Sequence, residues 1–204
     1  MSDDRYSMSF TTGSLFQRES LQLAALYLAA GNWNVVRDQV MAENLLQART
    51  LNTRKRVCSE VVSRLKQLSD NELAFLVEAS HQDQVCLLWL AVCRRYQFIA
   101  DFAVEVLRER YITLKNDLPH EEFDSFFNRK SEWHSELDGI TPATRSKLRQ
   151  ILFKILFEAD FLTTGNLIQG AMFSPALLEL IRKSRPADLL NLPVFESGQK
   201  GIKR

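Results

Sequence analysis

Between Asn44 and Lys66 the chain reads NLLQARTLNTRKRVCSEVVSRLK, where Arg49, Arg54, Lys55, Arg56, Arg64 and Lys66 stand against a single acid, Glu60. Cations at this density do one kind of chemistry well: they neutralise phosphate oxygens and release counterions from nucleic acid. The whole chain carries a formal charge of only +1, so the excess is local. Thr53 is a natural N-cap, and Val57, Cys58, Val61, Val62, Leu65 and Leu68 recur at helical spacing, which predicts a basic helix over 53–68. Arg54, Lys55 and Arg56 would then crowd the first turn, where the macrodipole disfavours cations. An anionic partner at that helix end accounts for such a placement.

A second basic helix is expected over 142–160. Leu148, Ile151, Leu152, Ile155, Leu156 and Ala159 form one apolar stripe, flanked by Arg145 and Arg149 on one side and Lys147 and Lys154 on the other. No acid falls between Gly139 and Phe157. The acids gather instead on Asp101–Glu109 and Asp117–Asp138, so charge is expected to be segregated over the surface. The bland reading of either helix alone is a solvated face. Two such helices, each following a helix and a connector, favour nucleic acid.

Other chemistry finds little support. His81, His120 and His134 show no H-x-x-x-H spacing, and no acid cluster completes a metal set, so no metal or other cofactor is expected. With seven glycines there is no phosphate-binding glycine loop and no G-x-S-x-G elbow. Phe123, Phe126 and Phe127 could stack on bases, but their spacing fits the core side of an amphipathic helix. The stretch RKSEWH, Arg129 to His134, fits R-x4-H and resembles the active-site signature of the HEPN ribonucleases. That family sets its motif within a helix of a paired bundle and follows the Arg with a small polar residue or His. Here Lys130 follows, and the motif falls at a helix end. No third group is evident to orient the imidazole, so the expectation is a protein without catalysis.

With 204 residues the chain can bury a substantial core, and its composition (46% hydrophobic, 25% charged) is that of an ordinary globular protein. Few glycines and prolines point to an all-α fold. Cys58, Cys86 and Cys93 are unclustered and read as small core hydrophobes of a reducing compartment. The most apolar run, Val85 to Cys93, has nine residues where a bilayer needs about 20, so it is expected to be a buried helix and no membrane partner is expected. The opening MSDDRYSMSF is unlike a signal or transit peptide, which makes the cytoplasm the expected location.

The elements that must carry these residues are helices. Leu15–Ala30 ends at Gly31, and Asn32 caps a helix from Trp33 to about Glu43. Helix, connector and basic helix is the organisation of a helix-turn-helix, although the connector Asn44–Asn52 is longer than usual. Ser69 with Glu72 forms a capping box, and Ser80 with Asp83 a looser one. A helix from about Phe98 to Tyr111 turns Ile99, Phe102, Val106 and Leu107 inward. Leu114–Pro119 marks the boundary between an expected N-terminal lobe (10–113) and a C-terminal lobe (114–186), each with a helix-turn-helix-like unit. In the second lobe, Thr164-Gly165-Asn166 could turn a small wing hairpin. Thr141-Pro142 and Ser174-Pro175 open helices. Residues 187–204 are expected to form a flexible tail.

Several blocks look like the BrxA family of the BREX bacteriophage-exclusion systems: NLLQART at 44–50, LLWLAVCRRYQFI at 87–99, DFAVEVLRERY at 101–111, FDSFFNRKSEWH at 123–134 and KLRQILFKILFEADFL at 147–162. The resemblance spans roughly Gly13 to Ile181. It implies a small non-catalytic component of a multi-gene defence system whose other members include an adenine-specific DNA methyltransferase and ATPases. It also implies an all-helical protein with helix-turn-helix units and a DNA-binding role. The expected partner is double-stranded DNA, contacted by Arg49, Arg54, Lys55, Arg56, Arg64, Lys66, Arg145, Lys147, Arg149 and Lys154, with other BREX proteins possible. The rival readings are an adaptor docking those BREX proteins and a nuclease using Arg129 and His134.

Overall fold

The protein is described from a computed structural model over residues 5–195. It is all-α, with ten α-helices and no strand among the described residues. Helix α1 (Gln17–Ala30) closes where Gly31, at φ 65°, donates its N–H to the Tyr27 carbonyl. The side chain of Asn32 then caps α2 (Trp33–Glu43), and Trp33 folds back to stack on Tyr27 with ring centroids 4.2 Å apart. Helix α3 (Leu51–Leu65) packs with α1 and α2 as a three-helix unit. Helix α4 (Asp70–Glu78) opens with the full Ser69–Glu72 capping box.

Helix α5 (His81–Arg95) is the axis of the molecule. Every side chain from Val85 to Cys93 is buried, as a helix apolar on all sides requires. Ser80 caps it, but the Asp83 carboxylate does not return to Ser80. Instead its Oδ1 accepts the Ser174 N–H at 2.7 Å, tying the start of α5 to the start of α10. After α5 come α6 (Gln97–Phe102), a π-helical segment (Ala103–Arg108) and α7 (Glu109–Ile112). Helices α8 (His120–Ser131), α9 (Pro142–Glu158) and α10 (Pro175–Ser184) complete the set, with Thr141 and Ser174 as caps ahead of proline. Phe123, Phe126 and Phe127 are core residues, ringed around Phe98.

Two expectations about the second half are corrected. The segment after α9 turns at Thr163–Leu167 but makes only isolated bridges, Leu162 with Ile168 and Leu167 with Asp117, so no wing hairpin forms. Its polar backbone is shared between the segment itself and the 114–118 linker: Thr163 N–H donates to the Leu167 carbonyl and Gln169 N–H to the Phe161 carbonyl, while Leu118 N–H donates to the Asn166 carbonyl and Ile168 N–H to the Asn116 carbonyl. Residues 187–195 do not behave as a tail. Pro186–Asn191 forms a 3-10 turn that buries Leu189, its Asn191 carbonyl accepts the Trp89 indole N–H at 2.8 Å, and Leu192 is buried beyond it. Residues 196–204 lie outside the described residues. Buried apolar side chains from both expected lobes belong to one continuous cluster.

The buried polar centre of the fold is Arg94, in the last turn of α5. Its guanidinium takes Glu72 bidentately at 2.6 and 2.9 Å, Asp188 at 2.7 Å and the Gln67 carbonyl at 2.9 Å. The Arg94 and Glu72 side chains are only 3% and 2% exposed. Burial would raise the Glu72 carboxyl, but the Arg94 guanidinium, the Ser69 N–H and the Ser184 hydroxyl outweigh it and hold the group at about 2, below its ordinary 4.5. Removing one partner of such a set strands a buried charge. Arg94→Ala should therefore destabilise the protein by about 3–5 kcal/mol in urea unfolding. Because Glu72 is depressed in the fold, its contribution is complete above about pH 4.5 and is lost as pH falls toward 2. Glu72→Gln should start from lower stability near neutral pH and show a flatter loss over that acid window, read from urea midpoints at stepped pH.

Candidate nucleic-acid interface

The basic helix begins three residues earlier than its sequence suggests. Thr50, not Thr53, is the N-cap: its hydroxyl accepts the Thr53 N–H at 3.1 Å. Both threonines head plausible caps, and the choice is made upstream. Asn44 ends α2 in the left-handed region at φ 48°, and its side chain brackets Ala48 through the amide N–H and carbonyl, so the connector is used up by residue 50. Leu51, Asn52 and Thr53 then fill the first turn, and Arg54, Lys55 and Arg56 fall in the second. The macrodipole penalty fades beyond the first turn, so it no longer singles these cations out.

The ten expected contact residues divide into two groups. Arg54 is half-buried and donates from Nη1 to the Met41 carbonyl at 2.6 Å, capping one of the last free carbonyls of α2. Arg64 is buried, with Nε on Glu60 at 2.7 Å, Nη1 on the Ser14 carbonyl at 2.7 Å and its guanidinium over the Phe16 ring. Arg145 reaches across to α8, bonding Asp124 and Asn128 and lying over Phe127, and Arg149 pairs with the same Asp124. These four arginines are engaged by partners within the fold. The second basic helix is thus largely neutralised by the acidic helix beside it. Among the described residues Lys147 makes no ion pair, while Lys154 lies 3.7 Å from Glu158.

Arg49, Lys55, Arg56 and Lys66 remain, all exposed and without a salt bridge among the described residues. Arg56 donates one N–H to the Thr12 hydroxyl at 2.9 Å. The outward face of α3 between them carries Asn52, Ser59 and Ser63, which a count of charges passes over. Asn52 and Ser59 are exposed there and Ser63 is half-buried, its hydroxyl donating to the Glu60 carbonyl at 2.8 Å; all three lie opposite buried Cys58, Val61, Val62 and Leu65. The one acid of the helix, Glu60, is turned away. It accepts Arg64 and the Tyr96 hydroxyl, at 2.7 and 2.8 Å for the latter, and its side chain is 11% exposed. Burial, then the charge of Glu60 and its hydrogen bond, push the Tyr96 phenol up to about 12, so it stays a donor to that carboxylate.

The N-terminal segment straps this helix to the rest. Phe10 is fully buried between Tyr96 and Phe98, and the Tyr6 N–H donates to Glu136 while its hydroxyl donates to Asp101. Farther along, Thr12 and Ser14 meet Arg56 and Arg64 of α3, and Leu15 N–H donates to Glu158 of α9. Gly13 lies against Ile151, where a Cβ would stand 2.1 Å from the Ile151 Cδ1.

Arg129 and His134 are not assembled as a catalytic pair. Helix α8 ends at Ser131, Arg129 lies over Phe126, and the His134 ring packs on Tyr6 at 4.0 Å with Nδ1 3.2 Å from Glu136. Cys58, Cys86 and Cys93 are free and buried, and burial raises all three thiols, which leaves them poor nucleophiles. Among the described residues, no group of three or more His, Cys, Asp or Glu is placed to hold a metal ion.

A family model described as BrxA matches residues 4–185. The chain is 26% identical over 182 residues to the BREX protein BrxA of Escherichia coli O9:H4 (strain HS), covering 88% of this chain and 85% of that one. It is 25% identical over 163 residues to the BREX protein BrxA of Paramagnetospirillum magneticum, covering 80% and 82%. The crystal structure of an uncharacterized protein from Magnetospirillum magneticum shares the fold, with a TM-score of 0.80 at 20% identity over 92% of this chain and 97% of that one. Matched over nearly its whole length by the family's model, and by relatives carrying its name, this chain belongs to the BrxA family.

Proposed function

We propose that this component of a BREX phage-defence system binds duplex DNA through the outward face of α3 and performs no catalysis itself. The observation behind this reading is the sorting of charge on one helix. The acid and the buried arginine of α3 satisfy each other inward, while Arg49, Lys55, Arg56 and Lys66 stand exposed and unpaired by any carboxylate among the described residues. Helix α2, the 44–50 connector and α3 stand as a helix-turn-helix with a long connector, in which α3 is the element that enters a groove. Lys147 on α9 is a secondary phosphate contact at most, because its neighbouring arginines are engaged. No helix among the described residues is long and apolar enough to cross a membrane. The cytoplasm, where phage and host duplexes lie, is the proposed site of action.

A second reading, an adaptor for other BREX proteins, is favoured by one feature. Trp133, on the loop after α8, is 85% exposed, and exposed tryptophan is the residue type that anchors protein interfaces. The two readings separate cleanly. Replacing Arg49, Lys55 and Lys66 together with Ala should weaken duplex binding and flatten the log–log salt slope by up to about 0.9 per lost phosphate contact, measured by mobility-shift titration. The loss should be similar across DNA sequences, because phosphate contacts position rather than specify. An unchanged slope, together with co-purification of other BREX proteins that Trp133→Ala abolishes, would establish the adaptor instead. Labelled RNA and DNA should both remain intact on incubation with the protein. Cleavage that disappears in His134→Ala would overturn the non-catalytic part of the reading.

A further inference from the structure

The outward strip of α3 is not built as a phosphate grip alone. Asn52, Arg56, Ser59 and Ser63 follow one another at spacings of four, three and four residues, so they share one face opposite the buried residues. Lys55 and Lys66 lie to one side of that strip. A helix that only neutralised phosphates would gain most from cations along its centre. Here the centre holds an amide, a guanidinium and two short hydroxyls, with the lysines at the margin. That is the layout of a helix lying in the major groove, where the margins meet the sugar–phosphate walls and the centre meets base edges.

Three details make the strip competent for base reading. The Asn52 side chain is exposed and makes no hydrogen bond among the described residues, so its carbonyl and amino groups both face outward free. Arg56 is held by one N–H on the Thr12 hydroxyl, which orients the guanidinium and leaves other donors open. The short Ser59 and Ser63 side chains keep the strip low, so that the helix backbone can approach the groove floor. The platform beneath is rigid, because Arg64 fixes the inner side of α3 to Glu60 and to the strap at Ser14.

We infer that α3 reads a purine-rich step in the major groove of duplex DNA, with Asn52 on the N6/N7 edge of adenine and Arg56 on the O6/N7 edge of a neighbouring guanine. This inference rests on α3 being the DNA-contacting helix. The amide presents one acceptor and one donor side by side, matching adenine. The guanidinium presents two donors, matching guanine.

The test is selection of bound duplexes from a randomised pool by the full chain. The wild type should enrich a motif containing adjacent adenine and guanine. Asn52→Ala should lose the adenine preference, about tenfold or more at that position, while keeping the salt slope and the thermal midpoint of the wild type. Arg56→Lys, which keeps the charge and removes the fork, should lose the guanine preference alone. A pool that is bound but not enriched, a motif that Asn52→Ala leaves intact, or a uniform loss across all duplexes in that variant would overturn the base reading. In each of these cases a slope flattened by the Arg49, Lys55 and Lys66 replacement would leave the DNA-binding reading standing. Failure to bind any duplex would remove both.

Discussion

One guanidinium sits where five segments of the chain meet. Arg94 ends the central helix α5, and its bonds reach α4 through Glu72, the α3–α4 junction through the Gln67 carbonyl, and the last 3-10 turn through Asp188. Ser184 at the end of α10 closes the set on Glu72. Two carboxylates against one cation leave the cluster with a net negative charge in the interior. Such a cluster is tolerated only because nearly every lone pair finds a donor. The geometry admits no sliding of α4 along α5. The placement of α1, which packs mainly on α4, and of the three-helix unit above it follows from that lock.

The same logic operates at smaller scale around α3. Glu60 is the lone acid in the basic stretch, and it serves as the inner anchor for Arg64 and Tyr96. Because the acid and one arginine neutralise each other inward, the outer face is left with uncompensated cations. Asp124 plays the corresponding part for α9, but there it pairs with both Arg145 and Arg149. One acid thus makes α3 an open basic face, and another makes α9 a nearly closed one. Arginine suits both inward roles, since one guanidinium can meet a carboxylate and a backbone carbonyl at once, as Arg64 and Arg145 do. Arg49, Lys55, Arg56 and Lys66 are the cations of this stretch left in water.

The strap of residues 5–16 joins these two regions. It is anchored at Phe10 in the aromatic core, and from there it reaches α3 on one side and α9 on the other. Gly13 lies against α9, where a side chain would collide with Ile151. The orientation of the candidate DNA-reading helix is therefore set by contacts far away in sequence as well as by its own three-helix unit.

Local chemistry in the sequence was enough to determine the helical class, the caps at Asn32, Ser69, Ser80, Thr141 and Ser174, the burial of Val85–Cys93 and the core role of the three phenylalanines of α8. All of these depend on periodicity or on a side chain reaching a backbone two or three residues away, and such signals are carried by neighbours along the chain. The choice between Thr50 and Thr53 was not determined in this way, because either threonine can accept the required N–H. The turn at Asn44 and Ala48 decided it. Nor could a count of basic residues separate Arg54, Arg64, Arg145 and Arg149 from Arg49, Lys55, Arg56 and Lys66. Whether a cation faces water or a carboxylate depends on partners as far away as Met41, Ser14 and Asp124, and only the tertiary structure brings those within hydrogen-bond reach.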